Sequence, residues 1–156
     1  MTYKILRPGE GATLADAHAV RRAVFVEEQG VPESLEMDGL DDRASQFVAY
    51  RVPEADDSDE DPDSPGRPIG TARLRVSREG KGKPERVAVR EAHRGNGLGR
   101  ALMEAVEAAA VELDCSVLEL HAQTAVEEFY ADLGYETVSD EFEEAGIPHV
   151  RMRKEV

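Results

Sequence analysis

The feature that most constrains this chain is a glycine-rich turn, Arg94-Gly-Asn-Gly-Leu-Gly-Arg100, set between the apolar run Arg86-Val-Ala-Val-Arg90 and a long amphipathic segment. Leu98, Leu102, Ala105, Val106, Ala109 and Leu113 recur at helical spacing while Glu104, Glu107 and Glu112 fall elsewhere, which predicts a helix over about 98–113. A strand therefore feeds a glycine turn that opens a helix. Glycines there adopt positive φ without a steric penalty and lack the Cβ that would hold a ligand off the backbone. The unpaired N–H groups of the first helical turn converge with the positive end of the helix dipole, which makes an anion site. Arg94 and Arg100 flank it as charge-assisted donors, so the expected ligand is phosphate-like. A mere tight connection is disfavoured by three glycines in five residues with arginines at both ends and a helix behind.

Three phosphate binders must be told apart. A Walker loop needs Lys-Ser/Thr where Arg100-Ala101 follows Gly99. A dinucleotide fingerprint needs a third glycine where Arg100 or Leu102 stands, depending on the start chosen, although Glu119 lies near the distance of a ribose-binding acid. What remains is Arg-x-x-Gly-x-Gly, read as Arg94-Gly95-Asn96-Gly97-Leu98-Gly99.

Around this centre the chain alternates short strands and helices. Thr2 to Leu6 reads as a strand; Thr13 caps a helix over roughly 14–29, with Asp16 as the acidic partner of a capping box and Gly30 and Pro32 as its stop. An acidic loop, Glu33 to Arg43, precedes strands at Gln46 to Val52 and Ile69 to Val76. Between them, at about 53–68, seven of the ten residues Glu54 to Asp63 are acidic, so this stretch is expected to be a flexible hairpin loop rather than a linker between domains. Glu85 to Val89 is a strand before the glycine turn. Ser116 to Ala122 is a strand after the long helix, and a helix capped by Thr124 with Glu127 three residues on ends at Gly134. Tyr135 to Ser139 and His149 to Met152 are the last strands, giving an α/β (α+β) order and one domain over 1–156.

Charge narrows the partners. The 33 Asp and Glu against 19 Lys and Arg leave a net charge of -14, and only four of the bases are Lys. Such a surface repels polyanions, so no nucleic-acid partner is expected. Adaptation to a high-salt cytoplasm explains acids spread along the whole chain better than a basic substrate does. No apolar run is long enough for a membrane helix and MTYKILRPGE lacks the core of a signal peptide, so the expectation is a cytoplasmic protein without a membrane partner. Cys115 is the single cysteine, and His18, His93, His121 and His149 are dispersed, so no metal site is expected.

The Arg94 to Gly99 pattern closely resembles the coenzyme A pyrophosphate loop of the GNAT N-acetyltransferase superfamily. Phe129-Tyr130 with Leu133-Gly134-Tyr135 is similar to a later stretch of that superfamily, with Tyr135 where Phe is usual. Arg22 to Pro32, with Phe25-Val26-Glu-Glu28-Gln29-Gly-Val31, then Glu36-Met-Asp38 and Gly146-Ile-Pro148-His149, resemble its ElaA-like branch. The resemblance implies a mixed, mostly antiparallel sheet flanked by helices, with middle strands splayed between Val87 and Leu118. It implies that the backbone of Val87, Ala88 and Val89 and the loop Arg94, Gly95, Asn96, Gly97, Leu98, Gly99 and Arg100 hold acetyl-CoA, the co-substrate whose acetyl group passes directly to an amine acceptor, either a small molecule or a protein lysine or N-terminus. A homodimer is left open by analogy.

Acetyl transfer needs a neutral nucleophile, a polarised carbonyl and a proton for the departing thiolate. Tyr130 matches the superfamily's general acid. For the base, His121 comes first, with His149 and Glu144 able to orient the amine or relay its proton, and Glu85 a further candidate with the side-chain parity of Val87 and Val89. Glu28 and Gln29 either line the acceptor site or form a solvated helix end. The rival from another class is an acetyl-CoA-binding sensor or partner module without turnover.

Overall fold

The computed structural model describes residues 2–52 and 66–156. The expected acidic loop thus falls outside the described residues except at its end, where Arg67 and Pro68 already belong to a strand. The described residues form β1 (Tyr3–Leu6), α1 (Leu14–Arg21), α2 (Glu33–Glu36), β2 (Ser45–Arg51), β3 (Arg67–Val76), β4 (Lys81–Val89), α3 (Leu98–Glu112), β5 (Val117–Gln123), α4 (Glu127–Asp132), β6 (Glu136–Thr137), β7 (Phe142–Glu144) and β8 (Ile147–Glu155). All strands join one sheet in the order β1-β2-β3-β4-β5-β8-β6, with β7 also on β8. Every pair is antiparallel except β4 with β5. This is the mixed, mostly antiparallel sheet that the family resemblance implied.

Its defining irregularity lies at the middle. β4 and β5 pair only at Lys81 with Val117 and Gly82 with Leu118, and thereafter part. Opposite the parting, Arg73 pairs Glu85 and Thr71 pairs Ala88, so β4 carries one residue more than β3 over this interval. Arg86, at φ 55, holds that bulge in the left-handed region. A bulge bends its strand and sharpens the local twist, which carries β4 away from β5. It also resets side-chain alternation. Glu85 pairs across to Arg73 on one face, whereas Val87 and Val89 pack with the α3 core on the other. The expected shared parity of Glu85 with these valines is therefore wrong, because the extra residue intervenes.

Each face has its own core. Leu98, Leu102, Met103, Val106, Ala109 and Ala110 of α3 cover Phe47, Ala72, Leu74, Leu118 and Met152 of the sheet. On the opposite face Ala17, Val20 and Val24 pack on Val48, Tyr50 and Ala88. Thr13 does cap α1, accepting from Asp16 N at 3.1 Å, but the reciprocal half of the box runs through another residue. The Tyr50 hydroxyl accepts from Thr13 N and donates to Asp16 Oδ2 at 2.7 Å.

Helical structure beyond α1 departs from the single helix expected over 14–29. From Arg22 to Glu28 the backbone widens into a π-helical turn, stopped at Gly30 with φ 74. The expected acidic loop at Glu33 to Arg43 contains α2 and a short 3₁₀ turn, Asp41–Arg43. Thr124 does not cap α4. Thr124–Val126 form a 3₁₀ turn, and α4 starts after Val126 without a side-chain cap. The hairpin of β7 and β8 was also missed. Its two-residue turn, Ala145-Gly146, has both φ angles positive at 54 and 74, the twist that suits right-handed strands.

Candidate active site

The parting of β4 from β5 opens a cleft of about 970 Å³ through the middle of the sheet. It receives the glycine turn and α4 at one end, and the π-helical turn, α2 and the β7–β8 hairpin at the other.

At the first end, Gly95 and Gly97 sit at φ 81 and 78, and a Cβ on either would meet nothing within 4 Å. Both criteria for a backbone cradle are met: left-handed geometry and open space above it. No side chain caps α3, and its first intrahelical bond is from Ala101 N to Gly97 O, so the N–H groups of Leu98, Gly99 and Arg100 have no intrahelical acceptor. These residues fit a pyrophosphate. The third glycine has a different reason to be glycine, since a Cβ on Gly99 would press on the Phe129 ring at 3.3 Å. Leu98 turns its side chain into the core, leaving only its backbone for a ligand, while Asn96 is exposed at the tip of the turn.

The two arginines are already engaged. Arg94 forks onto both Glu28 oxygens at 2.7 Å and donates from Nε to Val89 O at 2.9 Å. The Glu28 carboxyl is held below its ordinary range by that hydrogen bond and the guanidinium charge. Arg100, well exposed, reaches Glu104 alone among the described residues, at 3.3 Å on its own helix. Val89 O, expected to face the pantetheine arm, is thus occupied by Arg94. Ala88 turns its methyl to Val20 and Val24, on the face opposite Val87 and Val89.

At the other end three of the candidate residues meet. His121 Nδ1 lies 3.0 Å from Glu144 Oε1, and His149 Nε2 lies 3.7 Å from Glu144 Oε2. A carboxylate only accepts, so His121 carries a proton on Nδ1, which leaves Nε2 as the nitrogen that can exchange one with a substrate. His149 Nδ1 donates to Ile147 O at 2.7 Å, which fixes its tautomer too. Phe142 holds both rings, edge-on to His121 at 5.1 Å and stacked with His149 at 6.1 Å. Sequence reasoning missed Phe142. The available signal was its separation of two from Glu144, which puts both on one face of a strand.

Tyr130 lines the same cleft from α4. Its ring is clamped edge-on between Phe129 at 5.0 Å and Tyr135 at 5.9 Å, and burial pushes its phenol up to about 12. It is therefore a protonated phenol throughout the physiological range. The ends of the two splayed strands are bridged by neighbours on the π-helical turn. Glu28 reaches Arg94 after β4, and Gln29 accepts from Gln123 Nε2 at 2.9 Å at the end of β5. Glu28 and Gln29 line the cleft and are not simply a solvated helix end.

Glu85 does not stand free as a base. It binds Arg75, Arg73 at 3.3 Å and Lys83 at 3.7 Å. Burial alone would raise its carboxyl, but Arg75, Arg73 and Lys83 outweigh this and hold it down. It belongs to a buried network in which Arg21 meets Glu36 at 2.5 Å and Asp41 at 2.7 Å, while Arg73, fully buried, meets Asp38 at 2.6 Å. Arg73 holds the Asp38 carboxyl down at about 2. Arg86 joins from the bulge: its Nε stands 3.0 Å from Glu36 Oε2, an ionic contact too poorly aligned for a hydrogen bond. Cys115 is buried, with its thiol pushed up by burial and by Asp114. Among the described residues no group of three or more His, Cys, Asp or Glu could hold a metal, and no helix is long and apolar enough to cross a membrane.

A sheet parted at its middle, with a glycine cradle at one end of the gap and titratable side chains at the other, is the arrangement expected of an acyltransferase. Residues 60–156 match the model of the acetyltransferase (GNAT) domain. The chain is 39% identical to the uncharacterised N-acetyltransferase YjcF of Bacillus subtilis, over 91% of this chain and 92% of that one. Among solved structures it resembles an acyl-CoA N-acyltransferase from Pseudomonas aeruginosa (TM-score 0.77, 29% identity, 98% of each chain). It also resembles ElaA of Escherichia coli (TM-score 0.76, 26% identity, 98% of each chain). The chain belongs to the GNAT acetyltransferase family.

Proposed function

We propose that residues 1–156 act as one catalytic unit that passes the acetyl group of acetyl-CoA directly to an amine, with Tyr130 as general acid and His121 as general base. The observation that carries this reading is that a buried, protonated phenol shares one cleft with an imidazole whose Nδ1 is tied to a carboxylate. Acetyl-CoA supplies the activated acetyl thioester. Gly95, Gly97 and the free amides of Leu98, Gly99 and Arg100 hold its pyrophosphate, with Arg94 and Arg100 as the matching charges, and the parted edge of β4 at Val87 to Val89 receives its arm once Arg94 gives up Val89 O.

His121 Nε2 takes a proton from the acceptor ammonium, freeing the nitrogen lone pair to form the C–N bond as the C–S bond breaks. Glu144, hydrogen-bonded to Nδ1, is a positioning residue that steadies the imidazolium so formed. Tyr130 gives its phenolic proton to the departing sulfur, and the proton lost from the nitrogen after attack restores the phenol. Tyr130→Phe and His121→Gln should each lower kcat by about 10²-fold or more with the Kd for acetyl-CoA within about twofold of the parent. Because the raised phenol keeps its proton at every pH below its own pKa, kcat should stay level on the alkaline side up to about pH 10. An unchanged kcat in Tyr130→Phe would remove Tyr130 from the mechanism.

A further inference from the structure

The charges at the acceptor end of the cleft are almost all cancelled internally. Glu36 is matched by Arg21 and Arg86, Asp38 by Arg73 and Arg86, Glu85 by Arg75, Arg73 and Lys83, and Glu28 by Arg94. Glu144 is different. It is half-exposed, and its nearest charged or chargeable partners among the described residues are the imidazoles of His121 and His149, with no Lys or Arg. The other cleft carboxylate without an Arg or Lys partner, Asp132, lies one helical turn beyond Phe129, which packs on Gly99, and so belongs to the glycine-turn end.

The cleft that Glu144 lines also carries an apolar wall of Phe25, Val31 and Leu35. Its position is fixed at both ends: Gln29 binds Gln123, which pairs with His149 in the sheet, and Leu35 O accepts from Arg86 at 3.4 Å at the bulge of β4. Leu35 is nevertheless 54% exposed, a large apolar side chain fastened by its backbone at the rim of a cleft and left open by the described residues. An apolar occupant of the cleft would take Leu35 out of water and extend the packing of Phe25 and Val31.

We infer that the acceptor is a primary monoamine with an apolar aliphatic or aryl-alkyl body, its ammonium received by Glu144 beside His121 and its body packed on Phe25, Val31 and Leu35. This rests on the acyl-transfer reading above. A carboxylate next to the reacting nitrogen would be forced against Glu144, and a second ammonium at the far end of the body would meet Arg86 and Lys83, whose carboxylates are already taken. The site thus selects against amino acids and diamines by unmatched charge and not by size.

Two matched pairs isolate that charge: 2-phenylethylamine against phenylalanine, and hexylamine against 1,6-diaminohexane, each assayed with acetyl-CoA by release of free thiol. The expected result is a kcat/KM at least about tenfold higher for the monoamine in both pairs. In Glu144→Gln all rates fall, since His121 loses its partner, but the ratio of 2-phenylethylamine to phenylalanine should collapse towards one. Leu35→Ser should raise KM for both monoamines and leave KM for acetyl-CoA unchanged. Equal or better turnover of phenylalanine or the diamine, or a ratio that survives in Glu144→Gln, overturns the acceptor class while leaving acyl transfer standing. Calorimetric binding of acetyl-CoA with no transfer to any of the four amines overturns the acceptor class alone. Failure to bind acetyl-CoA would overturn the acyl-transfer reading with it.

Discussion

Arg94 is a residue with two claims on it. The sequence pointed to its guanidinium as a phosphate donor, and in the structure Glu28 holds it through two hydrogen bonds of 2.7 Å. A pyrophosphate reaching the glycine turn must displace or share with this carboxylate. Glu28→Gln should therefore tighten acetyl-CoA binding by roughly two- to fivefold, the worth of an exposed ion pair removed from competition, when titrated calorimetrically. Weaker binding in that variant would mean that Glu28 orients Arg94 for the ligand. At this scale, too, what a sequence can offer stops short of how its residues meet. His121, Glu144 and His149 were each identifiable by type and place. Their meeting was not, because it depends on the β5–β8 register and on a two-residue turn with Ala145 in a conformation that alanine rarely adopts. Glu85 failed as a candidate for a reason invisible in one strand: the bulge at Arg86 turned it to the face where Arg73 waits.

Among the elements, the helix after the glycine turn was legible almost to the residue because its apolar stripe is long and uninterrupted. β4 was seen only from Glu85, since Lys81-Gly-Lys-Pro84 has the composition of a turn. Yet that unpromising start makes the last rung before the cleft. A Cβ on Gly82 would lie 2.5 Å from Leu118 Cδ2 and 3.3 Å from both Cys115 Sγ and Leu74 Cδ1, all three buried. Only glycine lets β4 approach β5 there. Gly82→Ala should cost about 1–3 kcal/mol of stability in urea denaturation, by overpacking a site that cannot relax. A change under about 0.5 kcal/mol would mean that the strands do not close on this contact. The π-helical turn had no signature in periodicity, and its effect is to bring Phe25, Glu28 and Gln29 to the cleft.

For the whole molecule the dominating quantity is the net charge of -14. Much of the acid inside the fold is matched by arginine, as in the network of Arg21, Arg73, Asp38, Asp41 and Glu36, so the uncompensated charge lies outside the core. Mutual repulsion of those surface carboxylates weakens the compact state and is screened within about 10 Å at 0.1 M salt. The midpoint of urea denaturation should therefore rise as KCl increases from about 0.1 M to about 2 M. A midpoint that falls over this range would show that the internal ion pairs dominate and that the acidity is no solvent adaptation. Fold class was readable from the order of elements together with the glycine turn. The parting of the sheet was implied by resemblance alone, since its causes, a bulge and a single close strand contact, leave no periodic trace.

The central claim is that the glycine turn holds acetyl-CoA, and calorimetric titration of acetyl-CoA into the parent protein and into the double variant Arg94→Ala, Arg100→Ala tests it most directly. The predicted result is micromolar binding in the parent and a loss of tenfold or more, about 1.4 kcal/mol, in a variant whose unfolding midpoint is unchanged. No binding by the folded parent, or equal affinity in the two proteins, would contradict it.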